Sequence, residues 1–238
     1  YFSDLNILFF PVFTMYGTRW ITTDKILNSY INGYKKESEE TEDVNNNNTK
    51  ICIVLEKIEE KKENGYINLG WIYLPYKVEN RQINLSKFSE FGLNPEDIVI
   101  VPDNLFSQIV NSNLEIRTSV SIDPITGAAK EGALFTSEAI PRGTILYGNI
   151  RIFDKSSFVG IDNRLEPLPS IDELECALKE SKHFFETLGI GGMTTRGFGR
   201  LKIQIDGIND EECKKASKSS DASDSQNDQQ ENTQGGQQ

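Results

Sequence analysis

The sequence is poor in histidine, in cysteine, in positive charge and in uninterrupted apolar stretches, and each shortage excludes something. His183 is the only histidine, so imidazole general-base chemistry would rest on it alone with no partner visible. It sits beside Phe184 and Phe185 in a helix-like stretch and reads as a structural or solvent-edge residue. Cys52, Cys176 and Cys213 are an odd number, widely spaced and without a CxxC. Neither a disulfide framework nor a zinc site is indicated, and a reducing cytoplasm is the simplest setting. The longest apolar run near the start, residues 7–12, is far too short to cross a bilayer. No signal-peptide pattern is visible, so no membrane partner is expected. Lysine and arginine total 25 against 36 acidic residues, a net charge of −11. That balance argues against a general nucleic-acid binder. The acid is uneven, however. It concentrates in residues 35–64 and in the tail beyond residue 208, so a local basic groove in the remainder is still allowed. The chain starts at Tyr1 rather than Met, and strand-like sequence begins almost at once. Further sequence is therefore expected upstream.

What is present is concentrated in LGIGGMTTRGFGR, residues 188–200. Glycines allow positive φ and close backbone approach to a ligand. Threonine hydroxyls and arginine forks suit phosphate. Upstream, Ile171, Leu174, Leu178, Phe185 and Leu188 repeat at helical spacing; downstream, Leu201, Ile203 and Ile205 alternate as in a strand. The order is helix, glycine loop, strand. A dinucleotide fingerprint or a P-loop needs strand, loop, helix, and both are excluded on order.

Elsewhere, residues 5–13 read as a buried strand and residues 19–21 as a second extended piece. Thr23 or Asp24 can cap a short helix running to Tyr34. Residues 36–50, with Asn45 to Asn48 in a row, read as a polar insertion. Residues 51–55 read as a strand, 56–63 as a charged helix, and Asn64-Gly65 as a turn. Residues 66–74 alternate as one strand ending at Pro75. Residues 85–91 predict a short helix and 97–101 a strand. A helix follows from Pro102 with Leu105, Phe106, Ile109 and Val110 on one face. Leu114, Ile116, Thr118, Val120 and Ile122 then alternate up to the turn residues Asp123-Pro124-Ile125-Thr126-Gly127. With Leu134 and Phe135 beyond, residues 117–135 read as a projecting hairpin, and 144–153 as another strand. Trp20 and Trp71 read as core or subunit-interface residues rather than base-stacking platforms. Residues 208–238 form an acidic, Gln-rich tail that reads as disordered.

Three blocks of the chain resemble a known family. They are FSDLNILFFPVFTMYGTRWITTDKIL (residues 2–27), IVPDNLFSQIV with LEIRTSVSIDPITGAAKEGALFTSEAIPRGTILYG (within 100–148), and LGIGGMTTRGFGRL (188–201). In order and spacing they are similar to the RAMP superfamily, in particular the repeated backbone subunit of the Cmr-type, type III-B CRISPR effector complex. The resemblance covers about half of the chain. It implies an α+β class with a modified ferredoxin-like, RRM-like fold over residues 1–207, carrying a β-hairpin thumb. It also implies copies of the subunit stacked in a helical filament along a guide CRISPR RNA, with other type III-B subunits beside them. Each thumb would interrupt the guide–target duplex. Target RNA would be cut at regular intervals, in antiviral defence, by attack of the neighbouring ribose 2′-OH, with a divalent metal such as Mg2+ and a catalytic Asp. That Asp belongs to a segment preceding the first block, so no residue of this chain is assigned its role, and no metal ligand is assigned.

On this resemblance, guide-RNA contacts are expected from Gly191, Gly192, Thr194, Thr195, Arg196, Gly197, Phe198 and Arg200. Successive N–H groups of the loop would form an anion nest. The helix dipole opposes anions there, so nest and arginines must outweigh it. The alternative is a tight helix-to-strand connection with solvated arginines. On the thumb, Arg117 and Lys130 would track phosphates and Ile125 would wedge against a base; the alternative is an ordinary surface hairpin. Glu138 is the one candidate for metal or proton handling beside the scissile phosphate, against a solvated strand-end glutamate. The family's basic residues after Phe-Pro-Val are replaced here by Phe13 and Tyr16, with Arg19 as the compensating candidate. Its two adjacent carboxylates before Ile-Pro are reduced to Glu138, preceded by Ser137. Two other classes remain open: a non-catalytic RNA scaffold, and a guide-precursor processing endonuclease, for which His183 is poorly placed.

Overall fold

The computed structural model describes residues 1–31, 34, 51–56, 64–154 and 169–207. The expected insertion at 36–50, the charged helix at 56–63 beyond Glu56, and the tail lie outside those residues. Two compact units are present. One comprises Ser3–Asn149; the other comprises Tyr1–Phe2 and the chain from Ile150 onward.

In the first unit, apolar residues with a period of two build strands, as expected from pleated side-chain alternation. The described strands are β1 (Asn6–Thr14), β2 (Gly17–Thr22), β3 (Cys52–Val54), β4 (Asn64–Leu69), β5 (Ile72–Val78), β6 (Ile98–Ile100), β7 (Glu115–Ile122), β8 (Ala129–Ala139) and β9 (Ile145–Tyr147). Seven of them form one mixed sheet in the order β4-β5-β3-β6-β2-β1-β9. Helix α1 (Asp24–Tyr30) starts where Thr23 accepts the Ile26 N–H. Helix α2 (Asp103–Ser112) follows Pro102.

The two helices cover opposite faces. Leu105, Ile109 and Val110 of α2 pack with Phe10, Val12, Ile21, Ile67, Leu69, Leu74 and Val99. Leu27 of α1 packs with Leu8, Phe9, Leu85, Leu93, Ile98 and Ile100. Leu8 and Phe9 fall on the same side because the β1 register slips between Ile7 and Phe9 against β9. Each fully buried Leu, Ile or Phe contributes about 1.5–3 kcal/mol, so these two layers hold the sheet. Cys52 lies at the bottom of the α2 layer, and burial pushes its thiol up to about 12.

The α+β class is as expected, and so is the hairpin. β7 and β8 pair only with each other, as a separate two-stranded sheet. Three local expectations are corrected. Residues 66–74 are not one strand: Gly70, at φ +63°, begins a two-residue turn, and β4 pairs back on β5 with Leu69 opposite Ile72. Asn64-Gly65 is not a turn but the start of β4. Pro75 sits inside β5 without harm because the parallel pairing with β3 begins only at Tyr76. Residues 201–206 alternate between half-buried and exposed, yet no strand pairs with them among the described residues. The Ile203 N–H donates to the Glu186 carboxylate instead (2.9 Å).

The second unit carries helix α3 (Ile171–Leu188), opened by a reciprocal capping box between Ser170 and Glu173.

Candidate nucleic-acid interface

The glycine loop is a closed structure rather than an open cradle. α3 ends with the Gly189 N–H on the Phe185 carbonyl (2.9 Å), and the Ile190 N–H donates to the Gly199 carbonyl (3.0 Å). Between these points a single 3₁₀ turn, Thr194–Arg196, ends at Gly197 with φ +83°. The Arg196 and Phe198 N–H groups donate to Met193, and that of Gly197 to Thr194. The expected nest is therefore narrower than residues 191–200, because these three amides and that of Ile190 are already engaged. Gly191, Gly192, Thr195, Arg196 and Gly197 are exposed, while Thr194 and Phe198 are half-buried. Arg200 is turned back: one guanidinium nitrogen donates to the Thr187 carbonyl at the α3 terminus (3.0 Å). A cation there offsets the negative end of the helix dipole, the effect that opposes anions at this loop.

The hairpin places its candidates at two ends. At the tip, Asp123 accepts the Ile125 N–H (2.8 Å) on its side chain and the Gly127 N–H (2.9 Å) on its carbonyl. Its own N–H donates to the Ala128 carbonyl (2.8 Å). Ile125 is thus held on a stiff turn and is 92% exposed. Lys130 is exposed close by. Glu138 stands opposite Ile116 at the base of the hairpin, exposed. Ile116 and Ile122 are six positions apart on one strand, so tip and base are separated by about 20 Å. The structure does not bring Ile125 and Glu138 together. Arg117, near the base, pairs with Glu115 (2.8 Å), which raises its already high pKa.

Arg19 is the least available of the predicted contacts. Its side chain is 15% exposed and bridges Asp97 (3.2 Å), and it donates to the Glu96 carbonyl, tying β2 to the turn at residues 95–97. His183 is exposed on α3, beside Phe184. Trp20 is half-buried and donates to the Gly143 carbonyl (2.9 Å). Trp71 is not a core residue: it occupies the β4–β5 turn and is 91% exposed. Among the described residues no group of three or more His, Cys, Asp or Glu could hold a metal ion. Among the described residues no helix is long and apolar enough to cross a membrane.

Sequence reasoning missed two features. The first is a charged cluster behind α1. Arg81 donates to Asp24, Glu79 and Tyr34 with only 3% of its side chain exposed. The second is an aromatic face on β4 and β5, where the Tyr66 and Tyr73 rings stack at 5.2 Å and 13°.

A mixed seven-stranded sheet with a helix on each face, and a two-stranded hairpin paired to no other strand, define an α+β protein. The RAMP superfamily profile matches residues 1–202, and the chain belongs to that superfamily. It is similar to the CRISPR system Cmr endoribonuclease Cmr4 of Pyrococcus furiosus, with 24% identity over 221 residues, 87% of this chain and 69% of that protein. Among solved structures it is similar to a chain of Type III-B Cmr-beta bound to cognate target RNA, at 15% identity and a TM-score of 0.42, covering 71% of this chain. It spans 62% of that solved chain. A chain of Type III-B Cmr-beta in the apo state gives the same TM-score and identity over 62% of this chain and 54% of that one.

Proposed function

We propose that this chain is the repeated backbone subunit of a type III-B CRISPR effector complex. It binds guide CRISPR RNA, stacks with copies of itself and with the other effector subunits, and within that complex cleaves complementary target RNA at regular intervals. The observation that carries the reading is the hairpin: a separate two-stranded sheet whose stiff turn holds an apolar side chain, Ile125, in solvent. Such a side chain can wedge between neighbouring bases, at a cost of a few kcal/mol of unstacking that phosphate contacts must offset. Lys130 on the hairpin supplies one such contact, and Arg196 on the glycine loop of the other unit is a phosphate contact in its own right. Glu138 is the carboxylate offered for proton handling beside the cut, at the base of the same hairpin.

Arg196→Glu reverses one phosphate contact. In a guide-RNA titration of the full chain it is expected to lower affinity by about tenfold, the worth of roughly 1.4 kcal/mol, and to flatten the salt dependence by about one phosphate. Unchanged affinity would remove the loop from the interface. Deleting residues 123–129 shortens the hairpin without touching either covered face of the sheet. The assembled complex should then lose the regular spacing of its target cuts. If the spacing survives, the thumb assignment is wrong. The scaffold reading predicts guide binding with no cleavage by any assembled form of the subunit.

A further inference from the structure

The seven-stranded sheet is covered unevenly, and its bare region is aromatic. Ile67, Leu69, Leu74 and Tyr76 turn toward α2. By alternation, Tyr66, Asn68, Tyr73 and Pro75 turn to the opposite side. There α1 and Leu85, Leu93 and Phe88 cover only the central strands. Tyr66 and Tyr73 are 55% and 59% exposed. The β1–β2 turn joins this face from the other end of the sheet. The Gly70 N–H donates to the Phe13 carbonyl (3.2 Å), and the Met15 N–H to the Asn68 side chain (2.6 Å). Phe13 and Met15, whose backbone these bonds tie to residues 68–70, and Trp71 in the same turn are exposed at 73%, 58% and 91%. Every large exposed side chain in this group is aromatic apart from Met15.

The charge of the surrounding sequence narrows the occupant. The chain has 36 acidic residues, yet residues 5–23 and 64–78, which build this face, contain none. Their cations are Arg19, spent on Asp97, and Lys77, which shares the Tyr73 side of β5 and is half-exposed while bridging Glu79. These two stretches therefore bring ring faces and no carboxylate of their own; Glu79, which pairs with Lys77, lies one residue beyond. Ring faces bind bases without regard to sequence, and a stretch without carboxylates does not repel a phosphate backbone.

We propose that Tyr66, Trp71 and Tyr73, with Phe13 at their side, form a stacking platform for unpaired bases of single-stranded RNA. This rests on the RNA-binding function proposed above and adds a second contact region to it, on the sheet itself. Tyr66 and Tyr73 present the outer faces of one stacked pair, and Trp71 presents a whole indole. Asn68 is held by Met15 and Gly70, which fixes the two hairpins against each other and keeps the rings in one patch.

The test titrates fluorescein-labelled single-stranded octa-adenylate with the full chain and follows its anisotropy, which can be read in every variant. In the unaltered chain, stacking on Trp71 should also quench tryptophan emission. Trp71→Leu and Tyr73→Leu keep apolar bulk but remove the π face, and both sites are exposed, so the fold is retained; circular dichroism checks this. Each is expected to weaken binding by about tenfold while sedimentation remains as in the unaltered chain. Unchanged affinity in both variants overturns the platform. Unchanged affinity together with reduced self-association assigns the face to protein contact and overturns it equally. If Arg196→Glu loses affinity while both leucine variants keep it, the proposed function survives and this inference falls. If the unaltered chain does not bind the oligonucleotide at all, the RNA reading fails first.

Discussion

Replacing Arg81 by methionine is expected to cost about 3 kcal/mol of folding stability, read as a lower urea midpoint of the full chain with an unchanged slope. The guanidinium lies behind α1 and donates to Asp24, to Glu79 (2.6 Å) and to the Tyr34 hydroxyl (2.8 Å). Tyr34 in turn donates to Asp24. Removing the cation leaves the half-exposed Asp24 and Glu79 carboxylates facing each other with only Lys77, on Glu79, in compensation, which costs more than the intact cluster ever gained. Arg81→Lys keeps the charge but loses the fork that reaches three partners at once, so it should recover only some of the loss. The cluster also sets the pH limits. Burial pushes the Glu79 carboxyl up, but hydrogen bonds from Lys77 and Arg81 more than offset that and hold it below its ordinary 4.5. A lowered carboxyl pKa stabilises the fold above 4.5, and the stability is lost as pH falls through the folded value. Burial and the hydrogen bond to Asp24 push Tyr34 from 10.0 up to about 12. A raised phenol stabilises the fold below pH 10 and loses that contribution between pH 10 and about 12. Unfolding of the unaltered chain should steepen at both ends. In Arg81→Met the acid limb should become shallower, because only Lys77 is left to hold the Glu79 carboxyl down against burial.

The legible stretches of the sequence were those whose signals are local. The β1 run, the Thr23 cap, the α2 face of Leu105, Ile109 and Val110, and the Asp123 turn all depend on neighbours within a few residues. The structure carries each of them. The β4–β5 hairpin was illegible because Gly70 and Trp71 do not interrupt the alternation of residues 66–74, so the turn looked like more strand. The Arg81 cluster was illegible for another reason: its partners Tyr34 and Asp24 lie 47 and 57 positions away, and nothing near Arg81 distinguishes it from a solvated arginine. The site divides in the same way. Ile125 at a hairpin tip followed from turn chemistry. The turning of Arg200 onto the α3 terminus and the burial of Arg19 against Asp97 depend on contacts that sequence spacing does not encode. An arginine in a glycine-rich loop is equally good as a phosphate ligand and as a helix cap, and only the geometry decides between them.

Gly199→Ala and Gly192→Ala should separate the glycines that close the loop from those that merely line it. A Cβ on Gly199 would stand 1.8 Å from the Ile190 carbonyl oxygen, on a backbone at φ +67°. Backbone cannot move aside as a side-chain tip can, so the Ile190–Gly199 closure must open. The left-handed conformation alone costs an alanine about 1–2 kcal/mol, and the lost closure adds to it. Gly192 has neither constraint: nothing lies within 4 Å of its Cβ position, and its φ is outside the left-handed range. Hydrogen exchange reads the difference without reference to RNA. The Ile190 amide, bonded to Gly199 in the unaltered chain, should lose protection in Gly199→Ala and keep it in Gly192→Ala. Guide-RNA titration reads the function. If the loop presents Thr195 and Arg196 to a phosphate, opening it removes their alignment, and Gly199→Ala should bind more than about tenfold more weakly, since about 1.4 kcal/mol already corresponds to a factor of ten. Gly192→Ala should bind as the unaltered chain does, unless the phosphate rests on the Gly192 backbone itself. In that case the added methyl group blocks it, and the two variants fail together on RNA while still differing in exchange. A Gly199→Ala chain that loses amide protection but binds guide RNA normally would show that the loop closes the fold and has no role in recognition.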